Sequence, residues 1–274
     1  LTGDGGDEVF GGYDTNIAHQ LAERFRRWPG LIRRAAHWCA SALPPSRGRM
    51  GVAFRAKRFV RGAEADPGTA HALWRIISDR AGRAALLSES DADGGEPEAA
   101  VAALWAACSG DVVARALQVD LETYLPDDIL VKTDTMSMAH GVEIRCPFLD
   151  RALVEYMFSL PTAAKVRGWS RKRFLRLAMA ERLPDEILRR NKQGFSVPLN
   201  PWLRGPLRPL MQTLLSPDRL RKMPFLSSDA VSRIRLDHET GRADRSFELW
   251  GLMCLSVWHA TFIERDRVDG PIRI

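Results

Sequence analysis

The first eight residues set three glycines among three carboxylates: Thr2-Gly3-Asp4-Gly5-Gly6-Asp7-Glu8. Glycines let backbone N–H groups close on an anion, and carboxylates beside a phosphate site ordinarily act through Mg²⁺, which takes oxygen ligands. No general nucleotide motif is met. The chain has no G-x-x-x-x-G-K-[ST] run, Glu8 stands where G-x-G-x-x-G needs its third glycine, and the acids lack EF-hand spacing. An acidic turn without a ligand is the alternative. Two further segments carry candidate chemistry. Residues 189–205, RRNKQGFSVPLNPWLRG, fit no periodic template and read as a structured loop bearing Lys192. Residues 142–148 alternate apolar and polar types as a short extended piece would, so Glu143 and Arg145 project the same way. A salt bridge pinning Pro147-Phe148-Leu149-Asp150 is one reading of the pair. The six histidines and four cysteines share no metal-ligand spacing and suggest no catalytic triad, and the thiols read as reduced and mostly packed.

The elements that must position these residues are helical. Apolar groups recur at helical spacing over 15–28 and 30–43, split by Trp28-Pro29-Gly30, and again over 69–78, 80–87, 97–108, 111–124, 127–139, 149–159, 170–182, 184–190, 206–215, 228–240 and 244–264. The acidic, glycine-containing run 89–97 is the best internal boundary. Almost nothing reads as strand, so this chain is predominantly α. At 274 residues and 45% hydrophobic it is long enough to bury a core without a disulfide or metal staple. The net charge of +6 is unevenly placed: residues 165–222 hold 15 Lys/Arg against 4 Asp/Glu, a block suited to a polyanion or to a solvated helix face. No residue run resembles a signal peptide, and the most apolar helix, 247–263, contains Glu248 and His259, so a soluble cytoplasmic protein with no membrane partner is the expectation.

Four ordered blocks resemble the asparagine synthetase family. They are TGDGGDEVFGGY at 2–13, YLPDDILVKTDTMSMAHGVEIRCPFLD at 124–150, LRRNKQGFSVPLNPWLRGPL at 188–207 and HETGRADRSFELWGLMCLSVW at 238–258. The resemblance implies a glutamine-dependent ligase: ATP adenylates the side-chain carboxylate of aspartate, pyrophosphate leaves, and ammonia from glutamine displaces AMP to give asparagine. ATP and Mg²⁺ are the implied cofactors. By position, Thr2, Gly3 and Gly5 match the loop that contacts ATP. Asp4 matches a family Glu tied to the acyl-adenylate and to proton removal from ammonia, and here it is one methylene shorter. Asp7 matches a magnesium ligand of the related β-lactam synthetases, with a helix N-cap as the alternative. Lys192 matches the lysine on the departing phosphates, and Glu143 with Arg145 a substrate-side pair. Lys132 and Asp134 receive no catalytic role, and Thr135 replaces the usual Arg of the TDR form.

The family's N-terminal glutaminase cysteine and its Ser-Gly-Gly-x-Asp-Ser pyrophosphate loop do not occur in these residues. The chain is therefore expected to be the C-terminal part of an asparagine synthetase domain, within an α/β adenine nucleotide α-hydrolase-like domain of the PP-loop type. Alone it is expected to be inactive, and the full-length enzyme has the option of a homodimer. Two alternatives stand beside this reading. One is a related amidoligase with a β-lactam, lasso-peptide or polysaccharide acceptor; the other is a basic helical nucleic-acid-binding module, which the block matches disfavour. The first turn and the Lys192 loop are expected to face one another across a triphosphate cavity.

Overall fold

The computed structural model describes residues 1–43, 52–88, 96–190 and 197–264, and among them regular structure is helical, with no strand and two isolated β-bridges. In chain order the helices are α1 (Gly6–Phe10), α2 (Asp14–Arg26), α3 (Gly30–Ala42), α4 (Val52–Ala63), α5 (Pro67–Arg75), α6 (Arg80–Leu86), α7 (Pro97–Ala107), α8 (Val112–Glu122) and α9 (Val131–Met138). They continue as α10 (Arg151–Ser159), α11 (Thr162–Lys165), α12 (Arg173–Ala178), α13 (Asp185–Arg189), α14 (Leu199–Arg204), α15 (Arg208–Leu214), α16 (Pro217–Arg221), α17 (Ser228–Glu239) and α18 (Ser246–Trp258). π-helical turns at Leu125–Leu130 and His259–Ile263 adjoin α9 and α18. Two compact units result. The first joins Leu1–Trp38, Phe59–Trp74 and Pro97–Gly194; the second joins Cys39–Arg58, Arg75–Glu96 and Phe195–Ile274.

In the first unit α8 is the packing centre. Asp111 caps it, its carboxylate accepting the N–H groups of Val113 and Ala114 at 3.0 and 2.9 Å, which satisfies two donors that have no intrahelical partner. Buried Val113, Ala116, Leu117, Val119 and Asp120 cover more than one face of the helix, because α1, α2 and α7 all pack against it. Ile17 and Val166 close over Val113 and Leu117, while Trp105 and Cys108 close over Ala116 and Val119. A polar line crosses this apolar packing. His19 Nε2 lies 3.1 Å from His71 Nδ1, and His71 Nε2 lies 3.1 Å from Asp120 Oδ1, with Trp105 stacked on His19 at 4.7 Å. The unit also buries Lys165, whose ammonium donates to the Met157 carbonyl at 2.8 Å and whose pKa burial lowers.

The second unit has its own core: Leu203, Leu207, Met211, Leu215, Leu220, Met223, Val231, Leu249, Leu252 and Met253 pack together. Its polar clamp is Glu264. Lys222 Nζ and His259 Nδ1 each reach this carboxylate at 2.8 Å, and Arg219 pairs with it while also donating to the Ser256 carbonyl at 2.7 Å. The clamp ties α16 to the end of α18.

Several sequence expectations need correction. The helix anticipated over 170–182 is confined to Arg173–Ala178, because Gly168 (φ 57°), the Arg167–Ser170 bridge and the left-handed Lys172 (φ 51°) hold the preceding residues in a turn. Part of the anticipated loop 189–205 forms α14: Leu199 and Leu203, one turn apart, are both buried, and Pro201 sits in the first turn where its missing N–H costs nothing. Helices α4, α11 and α16 were not anticipated. Cys39 and Cys254 are exposed, whereas Cys108 is packed. Among the described residues no single helix is long and apolar enough to cross a membrane.

Hydrogen bonding from Lys222, with further help from His259 and Arg219, holds the Glu264 carboxyl at about 2 against its ordinary 4.5, despite the opposing effect of burial. A carboxylate depressed on folding contributes stability that is full above its unfolded pKa and is lost as pH falls through the folded one. Acid unfolding of the second unit should therefore steepen between pH 4.5 and about 2. In Glu264→Gln, denaturant midpoints measured across that window should flatten.

Candidate functional site

The glycine-and-acid turn sits at the head of α1, and the segment after α9 holds it in place. Thr2 N–H donates to the Arg145 carbonyl at 2.9 Å, Thr2 Oγ1 donates to Asp4 Oδ2 at 3.0 Å, and Gly6 N–H donates to the Gly3 carbonyl at 3.2 Å. Gly5 caps α1 with φ 82°, a left-handed conformation open to glycine at little cost. A Cβ there would also lie 2.2 Å from Leu149 Cδ2, so this leucine packs directly on the turn's backbone. Phe148 lies against Gly6 and meets Phe10 edge-on, ring centroids 5.3 Å apart. The 145–149 segment thus forms the floor of the turn.

The acids of the turn divide by burial. Glu8 is 1% exposed and accepts from Tyr13 Oη at 2.5 Å; burial pushes its carboxyl up, against the effect of that bond. It points into the protein and supports α1. Asp4 and Asp7 are only part-buried. Asp4 charge, after burial, raises the Cys146 thiol, which places Cys146 beside the turn. Asp7 lies in the first turn of α1 and does not cap it, so the N-cap alternative is set aside. Its Oδ1 lies 2.8 Å from Lys172 Nζ.

Lys172 was not singled out from sequence. It is the one non-glycine residue with positive φ among the described residues, and its N–H donates to the Gly11 carbonyl at 3.3 Å. A Cβ at Gly12 would stand 1.7 Å from Asp7 Oδ1 and 2.5 Å from Lys172 Cε, so the second Gly-Gly pair leaves the room in which this ion pair lies. Within a stretch so rich in cations, no local signal distinguishes Lys172 from its neighbours; only the fold does.

Glu143 and Arg145 pair with each other at 2.6 Å, with side chains 69% and 75% exposed. The Arg145 backbone, through its carbonyl, joins this pair to the turn. The turn that holds Thr2, Gly3, Asp4, Gly5 and Asp7 is thus joined to the segment that holds Glu143 and Arg145 through the Thr2 N–H and the Arg145 carbonyl. Lys192 lies outside the described residues, and so does the expected approach of its loop to the turn. Much of the basic stretch is tied down within its own unit: Arg171 pairs with Asp14, Arg173 donates to the Ala163 carbonyl at 3.0 Å, and Arg208 pairs with Glu239 at 3.2 Å.

Chemically the turn offers an open backbone at Gly3, oxygen ligands on Asp4 and Asp7 and a cation on Lys172. Among the described residues no three acid, histidine or cysteine side chains converge as a metal cage.

Comparison with known proteins follows the same segments. The asparagine synthase family model matches residues 1–260. A Mycobacterium bovis protein bearing the glutamine-hydrolysing asparagine synthetase name is 32% identical over 98% of this chain, and asparagine synthetase 1 of Bacillus subtilis is 25% identical over 97%. Amidase chry2 of Gibberella zeae is 26% identical over 84%. The chain spans about 40% of the length of the two synthetases. No solved structure matches.

The close approach at Gly12 yields a paired test. Gly12→Ala should lose about 1–3 kcal/mol, the usual cost of overpacking, because the added methyl meets Asp7 and Lys172. Gly3→Ala meets nothing within 4 Å and should stay within about 0.5 kcal/mol of the parent. Urea denaturation measures both.

Proposed function

We infer the activity from one premise: this chain belongs to the asparagine synthase family. It acts as the C-terminal part of the synthetase domain of a longer ATP-dependent amidoligase. That enzyme adenylates the aspartate side-chain carboxylate, releases pyrophosphate and passes ammonia from glutamine to the activated acyl group. The PP-loop sheet and the glutaminase domain are supplied by other residues, and the boundary expected at 89–97 lies inside the synthetase part. The observation that best supports the reading is the glycine-and-acid turn seated on the 145–149 segment, with Asp4 and Asp7 left part-exposed.

Each side chain then has a task. Gly3 gives the phosphates an unobstructed backbone, Gly5 shapes the turn that presents it, and Thr2 orients Asp4 through its hydroxyl. Asp7, an oxygen donor at the edge of the turn, suits a magnesium ion that is otherwise held by phosphate oxygens; bound there, the ion neutralises phosphate charge. Asp4 takes a proton from the attacking ammonia. Because it is one methylene shorter than the family's glutamate, the turn must bring its backbone closer to the acyl carbon, since a 1 Å error costs about a hundredfold in rate. Glu143 and Arg145 orient aspartate, with opposite charges matching its amino and carboxylate groups. Lys192 stabilises charge on the departing pyrophosphate.

ATP–pyrophosphate exchange tests this reading. The complete polypeptide should show aspartate-dependent exchange and form asparagine with glutamine, and Lys192→Met should slow exchange by about 100-fold or more. The isolated 274-residue chain should show none. Exchange driven by another carboxylic acid and not by aspartate would replace aspartate with a different acyl acceptor, and robust exchange by the isolated chain would contradict the division of the site.

A further inference from the structure

Resting on that reading, we propose that Asp7 and Lys172 form an exchangeable ion pair that couples divalent-cation binding to polyphosphate binding. The ammonium holds the carboxylate until a polyphosphate takes the ammonium and a divalent cation takes the carboxylate. The geometry separates what anchors Lys172 from what its charge does. Its backbone is fixed to the turn by the bond from its N–H to the Gly11 carbonyl and by the start of α12, whereas its Nζ reaches Asp7 at the end of a flexible stem. The ammonium can leave Asp7 while the Cα stays.

The pair is also weak enough to exchange. With side chains 31% and 26% exposed, it sits where an ion pair changes an equilibrium by at most about fivefold. It is not what holds the turn down; Leu149 and Phe148 against the glycine backbone and the Phe10–Phe148 ring contact do that. Yet Gly12 gives up any side chain so that these two charged groups can meet. The neighbouring cation, Arg171, is engaged by Asp14, whereas Lys172 Nζ lies 2.8 Å from Asp7. A pair that contributes little stability but has space kept for it is explained by exchange. Charge stays balanced throughout, because carboxylate and ammonium each trade one counter-charge for another.

Exchange makes a prediction of opposite sign for the two ligands. In the complete polypeptide, Mn²⁺ alone and inorganic pyrophosphate alone are titrated separately, Mn²⁺ by electron paramagnetic resonance and pyrophosphate by calorimetry. Lys172→Met should tighten Mn²⁺ by about two- to fivefold, because a competing ammonium is gone, and weaken pyrophosphate by about tenfold. Asp7→Asn should do the reverse, tightening metal-free pyrophosphate and weakening Mn²⁺. Lys172→Arg should remain close to the parent on both. Parallel weakening of both ligands in Lys172→Met, or no change in either, overturns the exchange. If the parent polypeptide binds no pyrophosphate at all, the ligase reading itself fails, and the exchange with it.

Discussion

The candidate site depends on close contact between side chains and a glycine backbone. Leu149 lies where a Cβ at Gly5 would stand, Phe148 lies 3.0 Å from where one at Gly6 would be, and Asp7 with Lys172 fills the place of one at Gly12. A five-residue helix cannot hold itself together in isolation, because the cost of nucleation outweighs its few hydrogen bonds. Tertiary packing keeps α1 folded, and the glycines are what let that packing come close enough. Substituting a larger residue at these positions would lift the turn from its floor and separate Thr2 and Asp4 from Arg145.

Beneath the turn lies a desolvated polar set that gives it a rigid support. Glu8 and Asp120 are both almost fully buried and electrostatically coupled, Tyr13 donates to the first, and His71 and His19 extend from the second. Buried polar groups are costly unless hydrogen-bonded, and removing one partner leaves the other unsatisfied at a cost of about 1–3 kcal/mol. The same groups that are expensive to bury therefore specify one arrangement of α1, α2, α5 and α8. They turn Glu8 inward, and its neighbour Asp7 remains part-exposed at the edge, paired with Lys172.

How much of this was legible beforehand follows from range. Helices such as α2, α8 and α18 show in periodicity and in caps such as Asp111, which are local properties. Thr2, Gly3, Asp4, Gly5 and Asp7 stood out because glycine and acid alternate within a few positions, and Glu143 with Arg145 because extended spacing puts them on one side. What escaped was long-range. Lys172 meets Asp7 across the length of the first unit, and His19, His71 and Asp120 are separated by about 50 residues at each step. Neither pairing leaves a mark on local spacing. The turn before α12 was misread as helix because the apolar pattern continues through residues whose backbone is set by Gly168 and the Arg167–Ser170 bridge.

This chain belongs to the asparagine synthase family and spans about 40% of the length of the two synthetases it matches, and under the proposed function its first turn is one wall of a nucleotide site. The central claim is that this wall and the 143–149 segment serve the same bound molecule. A crystal structure of the complete polypeptide with a stable aspartyl-adenylate analogue and pyrophosphate tests it directly. The account predicts pyrophosphate oxygens against Gly3 and Lys172, with the acyl group between Asp4 and the Glu143–Arg145 pair. An analogue bound without contact to the first turn would contradict it.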